Sequence, residues 1–186
     1  MDALLTAFVS AFLAEWGDKT QLIVVMLAAT TRRPAQVLIG LTLAAILGNA
    51  VSALLGVYVA NMITIRAMTL MTALALLFAG GSGLIRRREP KPSTNRVPIL
   101  TAFILCLAAS LGDRTHFLTF ALAGRFDSAP LAAAGASAGV FLACVPAALL
   151  GDRLATTVPV RAIRYVGAGI FLIAGFITAV KALQLA

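Results

Sequence analysis

The chain has 186 residues, 61% of them hydrophobic and only 12% charged, with a mean hydropathy of +0.99 and a formal net charge of +8. A water-soluble domain of this size has nowhere to bury so much apolar surface, whereas a bilayer is itself an apolar solvent. Composition therefore excludes a soluble enzyme and predicts an all-α integral membrane protein with the lipid bilayer as its first partner.

Six apolar runs follow in chain order: Ala3 to Ala29, Ala35 to Ala60, Ala67 to Ile85, Val97 to Ala123, Leu131 to Leu150, and Ile163 to Val180. Each approaches the roughly 20 residues, at about 1.5 Å apiece, that a helix needs to cross the hydrocarbon core. None alternates apolar with polar residues, so a transmembrane barrel is excluded. The first run has no basic stretch before it and no good small-x-small site after it, and is expected to be a true helix rather than a cleaved leader.

The positive charge is placed asymmetrically. Loops after the first, third and fifth runs carry Arg32 and Arg33; Arg86, Arg87, Arg88, Lys91 and Arg96; and Arg153, Arg161 and Arg164. The other side has only Arg66, Arg125 and Lys181. This bias puts the three loops in the cytoplasm and both termini outside. Basicity is thus mostly topology, and no nucleic-acid partner is expected. Cys106 and Cys144 stand alone in different runs without metal-type spacing, and read as buried packing residues.

Sliding the sequence against itself by 95 residues aligns Thr6-Ala7-Phe8 with Thr101-Ala102-Phe103, and Gly17, Asp18 and Thr20 with Gly112, Asp113 and Thr115. The register continues through Gly40 with Gly135, Gly56 with Gly151, Arg66 with Arg161 and Gly80 with Gly175. Matches at Gly, Asp and Arg in one register mark a duplicated unit. The expected division is a three-helix repeat over 1–85, a basic cytoplasmic linker over 86–97 and a second three-helix repeat over 98–186. An odd number of helices per unit makes the second copy enter from the opposite side, giving six transmembrane helices as two inverted repeats with equivalent segments facing each other near the midplane.

Those segments are "EWGDKTQ", starting at Glu15, and "SLGDRTH", starting at Ser110. An ionisable group deep in the membrane costs roughly 2.5 to 3.5 kcal/mol on insertion scales, so Glu15, Asp18 and Asp113 should face the protein interior and serve a purpose. In a continuous helix Glu15 and Asp18 share a face, with Lys19 beside them. Gly17 and Gly112 weaken the helix or admit a close neighbour; a local opening there would add freed carbonyls to the carboxylates around a cation. Glu15, Asp18, Thr20, Gln21, Ser110, Asp113 and Thr115 together offer almost only oxygen, which suits hard cations such as calcium, manganese or magnesium. The same carboxylates can hold protons when no metal is present, and competition between proton and metal for one site is the minimal chemistry of an antiporter.

Blander readings stand beside this one. Glu15 with Lys19, and Asp113 with Arg114, could be packing ion pairs. Thr20 and Thr115 could bond back to helix carbonyls, Gln21 and Asn49 could join helices, and His116 could be a packing residue. The "GDR" at Gly151 to Arg153 falls out of the repeat register and reads as an interfacial turn.

The sequence "EWGDKTQL", Glu15 to Leu22, in a duplicated three-helix chain resembles the E-x-G-D-[KR]-[ST] motif of the GDT1 family, also called UPF0016, of cation/proton exchangers that includes bacterial manganese exporters. The resemblance implies a secondary-active antiporter of the bacterial inner membrane that exports Mn2+ or Ca2+ against protons by alternating access. It has no resident cofactor, and the cation is cargo. It also implies a cation site built from the motif residues Glu15, Asp18, Thr20, Gln21, Asp113 and Thr115. The second copy departs from the family pattern, with Ser110 where the family has Glu and His116 where it has Gln. One buried charge is missing, which leaves ion choice and proton stoichiometry open and brings His116 in as a candidate ligand.

Two other classes compete. One is an exporter of another small solute, such as a cationic amino acid, on a related duplicated plan. The other is an intramembrane aspartyl protease, against which the absence of G-x-G-D and P-A-L motifs weighs. Small residues in "GLTLAAILGNAVSALLG" permit close packing, either within the chain or between the protomers of a homodimer.

Overall fold

The computed structural model describes residues 1–85 and 98–183. The expected basic linker at 86–97 lies outside the described residues, as do 184–186. The described part is helical, with no strand in it: α1 (Asp2–Glu15), α2 (Lys19–Thr31), α3 (Pro34–Ala60), α4 (Ile65–Leu84), α5 (Pro98–Ser110), α6 (Arg114–Phe126), α7 (Ala129–Leu150), the one-turn α8 (Leu154–Thr157) and α9 (Val160–Leu183). Gly151–Arg153 forms a single 3-10 turn at the end of α7, as its position out of register suggested. Arg161 and Arg164, assigned to a loop on sequence, lie instead in the first turns of α9.

Four of the six expected runs are single helices, and the first and fourth are each broken in two. The reason is local. Gly17 and Gly112 have φ of +70° and +71°, a left-handed conformation that costs other L-residues roughly 1–2 kcal/mol and glycine nothing comparable. Asp18 and Asp113 follow in extended conformation as the N-cap residues of α2 and α6. Across each gap one backbone–backbone hydrogen bond remains: the Asp18 amide donates to the Glu15 carbonyl at 3.1 Å, and the Asp113 amide to the Ser110 carbonyl at 3.0 Å. Both second segments then end in a left-handed residue, Arg32 (φ 54°) and Asp127 (φ 49°), with a proline opening the next helix, where its missing N–H costs nothing. The 95-residue register thus extends from sequence into backbone conformation.

At 14 and 13 residues, α1 and α2 are each about 20 Å long, short of the roughly 30 Å hydrocarbon core. By length and composition α3, α4, α7 and α9 can cross a bilayer, and α5–α6, bent by 69°, adds a fifth candidate if the pair is one broken span rather than a re-entrant loop. The protein is therefore multi-pass and membrane-embedded.

The halves pack by exchange. Helix α1 lies on α7 and its counterpart α5 on α3, while α3 packs on α7 and α4 on α9. The contacts are made by small residues, among them Ala7, Ala11, Ala44, Ala102, Ala132 and Ala136, all buried, whereas Leu43, Leu47, Leu54, Ile173 and Phe176 face outward. This is the arrangement expected where lipid supplies the apolar solvent and helices gain by close backbone approach. Gly40 sits against the Ile99 carbonyl and Gly135 against the Leu4 carbonyl, two contacts related by the same register.

Candidate cation site

The acid-bearing residues beside the two helix breaks meet in the interior. Around them lies a cavity of about 10 Å³, room for about one water-sized body. Glu15 and Thr20 reach it from the first break, and Ser110, Asp113, Thr115 and His116 from the second; Asn49 and Cys106 complete its polarizable lining. The acids are out of solvent, with Glu15 2% exposed, Asp18 0% and Asp113 5%.

Each break delivers its acids in the same way. An α-helix start leaves amide N–H groups without intrahelical partners and carries a partial positive charge. Asp18 and Asp113 stand at these starts, yet neither carboxylate caps its own helix; both turn into the cluster. Asp18 pairs with Arg114, Oδ1 to NH2 at 3.6 Å. Thr115 donates to Glu15 Oε2 at 3.4 Å, while Glu15 Oε1 is buried without a hydrogen-bond partner among the described residues. A buried carboxylate oxygen in that condition is costly unless something occupies the space before it.

Of the eight residues singled out on sequence, six line the cavity and two do not. Asp18 lies beside it, paired with Arg114. Gln21 faces away and closes the first break: its Oε1 accepts from the Gly17 amide at 2.8 Å and its Nε2 donates to the Ala143 carbonyl at 3.0 Å. Gln21→Leu is expected to lose both bonds, leave the buried Gly17 amide unsatisfied and cost about 1–3 kcal/mol, read as a lower unfolding midpoint in detergent. The second break has no such latch. His116 occupies the equivalent position and instead lies over Gly48, where a β carbon would come within 2.5 Å of the imidazole. Gly17 is covered by the Val160 and Arg164 side chains of α9, whereas Gly112 has open space around it.

Ser110, at the position equivalent to Glu15, turns its hydroxyl back to the Leu107 carbonyl at 3.3 Å as well as to that of Cys106. Lys19 is exposed and Arg114 is buried, although they hold equivalent places. The sequence reads Asn49 as an interhelical bond but gives no prominence to Thr119 or Ser137. In the structure Thr119 donates to Asn49 Oδ1 at 3.1 Å and Asn49 Nδ2 to Ser137 Oγ at 3.3 Å. The bond therefore exists, and it holds Asn49 at the cavity wall. The available signal was Thr119 one turn beyond Thr115, on the same helix face. Among the described residues no three His, Cys, Asp or Glu side chains stand close enough together to hold a metal ion unaided. Hydroxyl, amide and freed carbonyl oxygens would have to complete any coordination shell.

Comparison with known proteins decides the family. The sequence profile described as "Divalent cation/proton antiporter GDT1" matches residues 3–91 and again residues 98–186. The chain belongs to the GDT1 family. The double match divides it where the 95-residue register does. It is also 33% identical, over 183 residues covering 96% of this chain and 91% of the relative, to a protein of Vibrio cholerae serotype O1 named "Putative manganese exporter". No solved structure matches. GDT1 proteins are transporters, so the chain is not an enzyme and the protease reading is overturned.

Proposed function

We propose that this GDT1 protein exports manganese(II), with calcium as the alternative cargo, from the cytoplasm in exchange for protons. In this reading α1–α2 is the sixth crossing, equivalent to α5–α6, and the two halves are inverted repeats that expose the cavity to each side in turn. The charge bias of the loops supports placing the basic loops in the cytoplasm and both termini outside, in a bacterial inner membrane. One observation carries the proposal: acids from two separate halves, Glu15 and Asp113, converge on one ion-sized space with a carboxylate oxygen of Glu15 unpartnered among the described residues.

The chemistry follows from the residues. A divalent ion entering the space finds Glu15 and Asp113, with Thr20, Thr115, Ser110 and Asn49 as neutral oxygen ligands and His116 as the one nitrogen donor. Asp18 supplies charge from just behind. Gln21, in this reading, supports the first break and does not ligate. With the cation gone, protons neutralise the acids, so neither state carries a large uncompensated charge through the membrane. The relative's printed name favours manganese over calcium. An exporter of organic cations would need a far larger space than this cavity offers.

The experiment is metal-dependent proton movement in proteoliposomes, followed with a pH dye on challenge with manganese, calcium, magnesium and zinc. Manganese or calcium should move protons, and Ser110→Glu, which restores the fourth acid, should raise apparent affinity for the divalent ion by about tenfold. Silence toward every divalent ion in both proteins would refute the proposal.

A further inference from the structure

Arg114 is 3% exposed and lies just behind the proposed cation site, paired with Asp18. Like charge there opposes the cargo, and removing a guanidinium from water is itself expensive. Its placement is specific. One nitrogen pairs with Asp18 at 3.6 Å, and another passes Gly83 of α4, where a β carbon would stand 3.1 Å from NH1 and 3.1 Å from Ala168 of α9. The Nε is buried without an acceptor among the described residues, so the pairing with Asp18 is incomplete, as befits a group that changes partners. Lys19 holds the equivalent position in the first half and is exposed, so the motif does not by itself force burial.

We infer that Arg114 is a tethered counter-cation: its guanidinium neutralises Asp18 in the empty carrier and is displaced toward Gly83 of α4 and Ala168 of α9 when a divalent ion binds. It is a positioning residue, which acts on the cargo through Asp18. It sets affinity low enough for release on the far side, because the returning guanidinium neutralises Asp18 and withdraws that negative charge from behind the ion held by Glu15 and Asp113. A residue that only stitched α2 to α6 would stabilise the fold and leave ion affinity alone. The inference rests on the antiport reading above and adds the element that expels the ion.

Trp16, the single tryptophan of the chain, adjoins Glu15 and reports binding without transport. The experiment titrates manganese(II) chloride into the purified full chain in nanodiscs, following Trp16 fluorescence, for wild type, Arg114→Gln and Arg114→Lys. Initial exchange rates in proteoliposomes accompany it. Arg114→Gln should bind manganese at least about tenfold more tightly and turn over more slowly, so that KM and kcat fall together. Arg114→Lys, whose shorter ammonium stem withdraws charge from Asp18, should shift both in the same direction by a smaller factor. Unchanged or weaker binding in folded Arg114→Gln overturns the inference; if that variant is not recovered folded, unchanged binding in Arg114→Lys does so. Wild-type exchange with unaltered affinity in the variants defeats this inference alone, whereas a wild type that neither binds nor exchanges manganese or calcium defeats the proposed function with it.

Discussion

Glu15→Gln is expected to lower cation-dependent proton exchange by at least about 100-fold while the protein remains folded, with Asp113→Asn following it closely. The glutamine keeps the volume of the side chain and an acceptor for the Thr115 hydroxyl, so the packing around 2%-exposed Glu15 has no reason to change. What disappears is a full negative charge facing an ion-sized space. Each 1.4 kcal/mol of lost interaction is a factor of ten, and a buried charge that loses its partner is worth about 3–5 kcal/mol, so 100-fold is a lower bound. Burying a neutral amide is also cheaper than burying a carboxylate. The unfolding midpoint of Glu15→Gln in detergent should therefore equal or exceed that of wild type. Activity and stability moving in opposite directions is what separates a transport acid from a packing acid. A variant that exchanges within tenfold of wild type would remove Glu15 from the site.

The membrane class was legible in composition, and the residues around the breaks in matched letters. Asp18 and Asp113 could be paired from sequence since both follow a glycine in one register. What the letters hid was the direction each side chain takes. Gln21 and Thr20 are neighbours in the motif, yet one bonds the Gly17 amide and Ala143 while the other lines the cavity. Lys19 and Arg114 are equivalent in register, and only the second turns inward. Read as continuous helices, the motifs place Glu15 and Asp18 on one face by three-residue spacing. The left-handed glycines cancel that rule by unwinding the turn on which it depends. A glycine permits a break without announcing one, since the same residue also serves close packing, as it does at Gly40 and Gly135.

Gly135→Val and Gly40→Val are expected to prevent recovery of monodisperse protein, and the corresponding alanine variants to lower the unfolding midpoint by about 10 °C. A β carbon at Gly135 would fall on the Leu4 carbonyl, and one at Gly40 on the Ile99 carbonyl, backbone that cannot swing aside as a side chain can. Overpacking of this kind costs about 1–3 kcal/mol even where neighbours relax, and each kcal/mol shifts the midpoint by about 2–4 °C in a chain of this length. Gly81 provides the control, because open space surrounds it; alanine there should leave the midpoint unchanged or raise it through better helix propensity. Thermal unfolding followed by size-exclusion chromatography in detergent makes all three comparisons. The two interior glycines also test the duplication energetically. They secure equivalent contacts, α5 on α3 and α1 on α7, so their alanine variants should lose similar amounts of stability. If Gly40→Ala were damaging and Gly135→Ala harmless, the shared register would describe ancestry of the sequence without equivalence of the two interfaces. The exchange of contacts between the halves would then give no support to a carrier whose halves trade places around the cation.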